Sequence, residues 1–372
     1  MIPPGSASVA RIMSALTLVG VLAGCPASTP PKPSDGPIGP TEEQLPAGSI
    51  LLRGAGATIP SLLYKRWFSV YHESHPTTYI RYEAVGSSEG IRRFMGTGVS
   101  AEESVDFGAS DAALSDSQIA ESGNDVLMVP ATAGCVVLAY NLPGFTGELF
   151  LSRKVYAGIF LGEITNWDDR QIAQANPGVR LPHLTIATVV RQDGSGTTFA
   201  FTRNLDAISE KWRSRFGPAT VVNWPGNAMR AKGNEGVAGL IENSAGSIGY
   251  VGYEFARRIG LNYASLENKE GKYTRPSQQS CAKALATAEM PENLRVFVPD
   301  PAGGDAYPIV TFSWILVRKS YRDAQMADAV VKLLHWSLED GQRFASELGY
   351  VALPADVVRR ALAVLNKIGP QA

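Results

Sequence analysis

The sequence predicts a mostly parallel α/β fold, on two observations. Short apolar, strand-like segments alternate along the chain with segments of helical apolar spacing. Four strand segments end in turns built from Gly, Ser and Thr. These are GAGAT at 54–58, GSS at 86–88, GASD at 108–111 and RQDGSGT at 191–197. In open α/β sheets ligands bind beyond the carboxyl ends of the strands. The recurrence therefore marks these strand ends as the place to look for a site.

The elements follow in order. Ser49–Arg53 is a short strand running into GAGATIP. Leu62, Leu63, Trp67, Val70 and Tyr71 then repeat at helical spacing over Ser61–Ser74. Tyr79–Ala84 reads as a strand, VGSSEG as a turn, and a helix starts near Ile91. Val105–Gly108 is a short strand, and Val126–Pro130 and Cys135–Asn141 are two more. Thr185–Arg191 is a strand before a helix through Phe199–Leu205. Ser247–Val251 and Tyr307–Val317 are later strands. Helices over Asp323–Ser346 and Pro354–Lys367 close the chain, with Pro354 suited to a first turn.

Composition narrows the function. The 372 residues carry a net charge of −1, so there is no basic excess for nucleic acid. Any anion site must rest on local geometry, because bulk attraction is absent. Four histidines and three cysteines leave little room for a zinc enzyme, and no metal site and no cofactor are expected.

The N-terminus reads as an export signal. Residues 12–22, IMSALTLVGVL, match a signal-peptide core in length and are too short to span a bilayer. The run ends in Leu22-Ala23-Gly24-Cys25, which resembles a bacterial lipobox. That resemblance implies cleavage after residue 24 and lipidation of Cys25. A Pro-rich stretch to residue 48 has too few apolar residues for a core and reads as a disordered tether. An exported body permits a disulfide between Cys135 and Cys281. Cys135 lies in the apolar run GCVVLAYNL and fits equally well as a buried free thiol.

The Gly, Ser and Thr turns carry a specific chemistry. Gly54, Gly56, Gly86, Gly194 and Gly196 let the backbone approach a ligand, and Thr58, Ser87, Ser195 and Thr197 add hydroxyls at helix starts. Helix N-termini present free N–H groups and partial positive charge to an anion. Arg191 supplies a permanent charge whose planar fork matches two oxygens of a tetrahedral oxyanion. Asp193 is placed to hold that fork. Asp111 is the odd member, because a carboxylate repels an anion. It makes sense where the ligand carries a proton, as hydrogen phosphate does and sulfate does not. Read alone, each of these residues is also an ordinary cap or turn residue.

Together these segments resemble the substrate-binding lipoproteins of the ABC phosphate importer, the periplasmic phosphate-binding protein family. The family pattern GAGAT/S-F-P, Y-x-G-I-G-S-S-G-G, DFGASDAPLS and R-x-DGSGT-x-F-x-FT is met by GAGATIP, YEAVGSSEG, DFGASDAALS and RQDGSGTTFAFT. WDD at 167–169, NPG at 176–178 and KGNEGVAGLIENSAGSIGYVGYEFA at 232–256 also match. The resemblance implies a two-lobed periplasmic-binding-protein fold, type II-like, with the ligand cleft between lobes joined by a hinge. Residues 49–131 plus 307–372 would form lobe one and 132–306 lobe two. The implied phosphate ligands are Thr58, Ile59, Ser87, Asp111, Arg191, Ser195, Gly196 and Thr197, supported by Asp193 and Gly194. Ile59 stands in place of a usual Phe, Glu89 in place of a Gly and Ala113 in place of a Pro. The implied function is binding of inorganic phosphate and its delivery to ABC permease subunits, without catalysis. The implied protein is a monomer, lipid-anchored outside the cytoplasmic membrane.

Two other readings compete. A tethered phosphate sensor or scavenger would use the same site without a permease. Gly86-Ser87-Ser88-Glu89-Gly90 also fits the G-x-S-x-G of serine hydrolases, with Ser88 as nucleophile and His183 or His335 as base. That short motif recurs by chance, and neither histidine lies in a context that suggests a base.

Overall fold

The computed structural model describes Met1 and residues 39–96, 98–123 and 125–371. The expected export signal and Cys25 lie outside the described residues. Of the tether, residues 39–48 are described, and they hold a one-turn 3-10 helix at Glu42–Gln44 beside a Glu42–Arg53 ion pair.

The core is a nine-stranded mixed sheet. Its main strands are β1 (Ile50–Gly56), β2 (Thr78–Glu83), β3 (Phe107–Ser110), β4 (Val126–Asn141), β5 (Ala187–Arg191), β6 (Met229–Ala231), β7 (Ser247–Gly252) and β8 (Val310–Arg318). They lie in the order β2-β1-β3-β8-β4-β7-β5-β6, and Asn262–Tyr263 also pairs with β4. The sequence expectation of a mostly parallel sheet is corrected here. The outer groups β2-β1-β3 and β7-β5-β6 are parallel. The central strands β8 and β4 run antiparallel to their neighbours. Their directions depend on partners far away in sequence, which local alternation does not encode.

A second correction concerns β4, which is one strand of 16 residues and not two. Its first part pairs with β8 and its last six residues with β7. Pro130 sits at a register shift, opposite Trp314, while Thr132 faces Ser313. A proline costs no ladder bond at such a bulge, so the strand continues through it. Cys135, within this strand, forms a disulfide with Cys281.

Helices cover the sheet. The ones that matter for the site are α1 (Ser61–Ser74), α2 (Ser87–Met95), α3 (Gly196–Ile208), α4 (Gly233–Glu242), α5 (Tyr253–Arg258), α6 (Gln278–Leu285) and α7 (Ala324–Leu338). The helix expected through Ser346 ends at Leu338, and a 3-10 segment follows at Asp340–Phe344. Gly341 explains the change: its carbonyl accepts the indole N–H of buried Trp67 at 2.7 Å, so the chain leaves the helix to cover α1.

Two aromatic clusters anchor the two parallel groups. Tyr64, Phe68, Tyr82 and Phe107 interlock beside β1–β3. Phe160, Phe201, Trp224 and Tyr250 do the same beside β5–β7. Each cluster gives rigid backing to the strand ends that carry the site. No described helix is long and apolar enough to cross a membrane.

Candidate functional site

β1 and β3 run one way and β5, beyond the antiparallel β8 and β4, runs the other, so their carboxyl ends face each other, and the Gly, Ser and Thr turns meet there. Thr58 and Ile59 lie in the turn between β1 and α1, both buried. Ser87 opens α2, after Gly86 in a positive-φ conformation (97°). A side chain at Gly86 would strike the Asp193 carboxylate, so glycine is required both by φ and by that approach. Asp111 follows β3. Arg191 ends β5, and Ser195–Thr197 form the start of α3.

Hydrogen bonds join these pieces into one network. Ser87 Oγ accepts the backbone N–H of Asp111 at 3.2 Å and of Gly196 at 3.1 Å. The second bond crosses from α2 to α3. Ser88 N–H donates to the Gly194 carbonyl at 3.1 Å beside it. The Arg191 side chain is almost wholly buried and clasped by Asp193: Nε donates to Oδ1 at 2.9 Å and Nη2 pairs with Oδ2. Burial alone would push the Asp193 carboxyl up. The guanidinium outweighs it and holds the group below its ordinary range. Asp193 also accepts the N–H of Gly233 at 3.0 Å, so the pair is fixed from two sides. Arg191 Nη1 donates to Thr197 Oγ1 at 3.2 Å. Ser195 is the N-cap of α3, accepting the Thr198 N–H at 3.1 Å, so its oxygen has a structural task.

Asp111 is only 1% exposed, and neither carboxylate oxygen has a hydrogen-bond partner among the described residues. Ser313 faces it without closing a full hydrogen bond. Burial pushes the carboxyl up to about 7, against the pull of the Ser313 hydroxyl and the Arg191 charge. A buried acceptor with no donor is costly unless something supplies the proton. A second buried carboxyl, Glu254 at the start of α5, also lacks partners for both oxygens among the described residues. Burial, and to a lesser degree the nearby Asp111, push it well above its ordinary range.

Two residues change meaning in the structure. Glu89 is bound by Arg92 at 2.8 Å and Arg93 at 2.9 Å. The Arg92 hydrogen bond is the largest cause that holds its carboxyl down at about 2. Its charge is thereby spent along the helix. Asn234 was not singled out from sequence, and it proves central. Its Nδ2 donates to Thr58 Oγ1 at 2.7 Å and to Thr197 Oγ1 at 3.0 Å. Its only sequence signal is a place inside the KGNEG stretch. The structure does not assemble the serine-hydrolase arrangement. His183 is exposed and bonded to Asp168, His335 lies in the last turn of α7, and neither bonds Ser88.

This is the build of a binding protein that encloses a small anion between two groups of strand ends. Comparison with known proteins agrees. Residues 28–340 match the model of the PBP superfamily domain. The chain is 36% identical over 324 residues to the phosphate-binding protein PstS of Xylella fastidiosa, covering 86% of each. It is 34% identical over 353 residues to that of Methanocaldococcus jannaschii, covering 88% of this chain and 89% of the relative. Among solved structures, the high-affinity periplasmic phosphate-binding protein PfluDING, bound with phosphate, superposes with a TM-score of 0.71 at 21% identity, covering 87% of this chain and all of that one. The phosphate-binding protein from Stenotrophomonas maltophilia gives a TM-score of 0.67 at 19% identity, covering 85% and 94%. The chain belongs to the PBP superfamily and, within it, to the PstS family of phosphate-binding proteins. Its fold is the two-lobed one of that superfamily.

Proposed function

We propose that this protein binds inorganic phosphate outside the cytoplasmic membrane and delivers it to an ABC import permease, without chemistry on the ligand. The observation that carries this reading is the pairing of Arg191 with Asp111 in one buried network of N–H and O–H donors. Arg191 satisfies an anion's charge. Asp111 needs a proton that hydrogen phosphate supplies through its P–OH. Thr58, Ser87, Ser195 and Thr197 contribute hydroxyls and Ile59 a backbone N–H, while Gly196, whose N–H donates to Ser87 Oγ, lines the ligand's space. Asp193 and Gly194 hold the turn that presents Arg191.

On this reading residues 49–131 plus 307–372 act as one lobe and 132–306 as the other, with phosphate bonded from both. Closure follows because ligand bonds are made on both sides. Residues 1–24 direct export, Cys25 carries the lipid anchor, and residues 25–48 tether a monomeric body to the membrane. The test is calorimetric titration of the protein with phosphate and with sulfate. Tight binding of phosphate with no heat from sulfate is expected. Equal binding of both anions, or binding of neither, would sink the assignment.

A further inference from the structure

Three hydroxyls of the site have no lone pair to spare. A hydroxyl carries one proton and two lone pairs. Ser87 Oγ fills both lone pairs with the N–H groups of Asp111 and Gly196. Thr58 Oγ1 accepts the backbone N–H of Asn234 at 3.2 Å and its Nδ2–H at 2.7 Å. Thr197 Oγ1 accepts the second Nδ2–H at 3.0 Å and Arg191 Nη1 at 3.2 Å. Each hydroxyl is left with a proton to give and nothing with which to accept.

Asn234 is the source of three of these six bonds, and its orientation is not free. The side chain is fully buried. Its Oδ1 accepts the Gly252 N–H at 2.9 Å. A flipped amide would set NH₂ against that N–H and lone pairs against the two threonines. The amide is therefore locked with both protons aimed at hydroxyl oxygens. One hydroxyl comes from the turn after β1 and the other from α3, so one side chain orients donors from both groups of strand ends.

We propose that Asn234 is a positioning residue for phosphate. It compels Thr58 and Thr197 to act as donors toward the ligand, and so makes the site a ring of donors around the single acceptor Asp111. This rests on the phosphate reading above and adds to it the residue that sets the direction of two ligand bonds. Asn234 touches the threonines rather than the anion, so it acts through them.

A double-mutant cycle tests this on the full chain, titrated with inorganic phosphate in a calorimeter. Asn234→Ala frees a lone pair on each threonine, and a weakening of roughly thirtyfold is expected, about fivefold for each mis-aimed hydroxyl. In a Thr58→Val background only Thr197 remains to be mis-aimed, so the same substitution costs only about fivefold. Asn234→Asp keeps an acceptor for Gly252 N–H while reversing both donors, and binds phosphate more weakly than Asn234→Ala. Thermal melting of the ligand-free variants shows that each is folded, and Asn234→Ser enters the cycle if the alanine variant melts too low. A cost of equal size with and without Thr58, or an aspartate variant that binds as well as the alanine variant, would overturn the role of Asn234. Failure of the unaltered protein to bind phosphate would instead overturn the functional reading.

Discussion

Asp111 shows how one side chain can set both selectivity and pH response. Its carboxyl is buried without a partner and is raised from an ordinary value of 3.8 to about 7. Between those values the unfolded chain has lost a proton that the ligand-free folded chain keeps. The folded state therefore binds more protons there, and stability falls as pH rises from about 4 to about 7, then levels. The full effect is on the order of 4 kcal/mol. Glu254, also raised by burial, adds a slope of the same sign. Chemical denaturation of the ligand-free protein across this window is expected to show the decline, and Asp111→Asn is expected to remove roughly half of it, leaving the slope that Glu254 contributes. An unchanged slope in that variant would place the titrating group elsewhere. The same substitution replaces an acceptor-only carboxylate with an amide that can donate. Sulfate then meets a donor instead of a like charge, and the phosphate-to-sulfate affinity ratio is expected to fall at least ~tenfold. Paired titrations with the two anions check it.

At the scale of elements, the sequence was most legible where structure is local. The turns at 54–58, 86–88 and 191–197 lie where strand ends meet helix starts, because Gly and hydroxyl residues at those points have few other uses. What escaped was decided by distant partners. The sequence suggests one strand ending at Pro130 and another starting at Cys135, yet a bulge opposite Trp314 accommodates the proline and β4 runs on for 16 residues. The antiparallel β4 and β8 could not be foreseen from alternation alone. Asn234 has no local signature, because its value lies in reaching Thr58 and Thr197, far away in the chain. Cys135 in an apolar run reads equally as a buried free thiol or as the partner of Cys281, and the structure bonds it to Cys281 on α6, 146 residues away. This bond fastens the long central strand to a helix outside the site. Closing a loop of that size restricts the unfolded chain, so Cys135→Ala with Cys281→Ala is expected to cost about 2–5 kcal/mol. Urea denaturation measures the loss. Phosphate affinity of the folded double variant should stay within about twofold of the parent, since neither cysteine bonds a proposed ligand residue.

For the whole molecule, the network describes a closed arrangement whose fit is set by Gly196. A β-carbon there would lie 2.5 Å from the Asp111 β-carbon and 2.6 Å from Ser87 Oγ. Those neighbours belong to the opposite group of strand ends, at the tip of β3 and the start of α2. Gly196→Ala therefore acts on the approach of the two groups, because a methyl cannot share that space. Nothing in the substitution disfavours α3 itself, since alanine is a better helix former than glycine. The ligand-free variant should melt within a few degrees of the parent. Phosphate binding should weaken by about a hundredfold or more, because the Gly196 N–H can no longer reach Ser87 while Arg191 comes to the anion from its own side. Small-angle scattering separates this from a merely damaged site. The parent is expected to contract on adding phosphate, and the variant to keep its ligand-free dimensions at concentrations that saturate the parent. A variant that contracts and binds like the parent would mean that the two groups meet without the close fit at Gly196, and that closure is limited elsewhere.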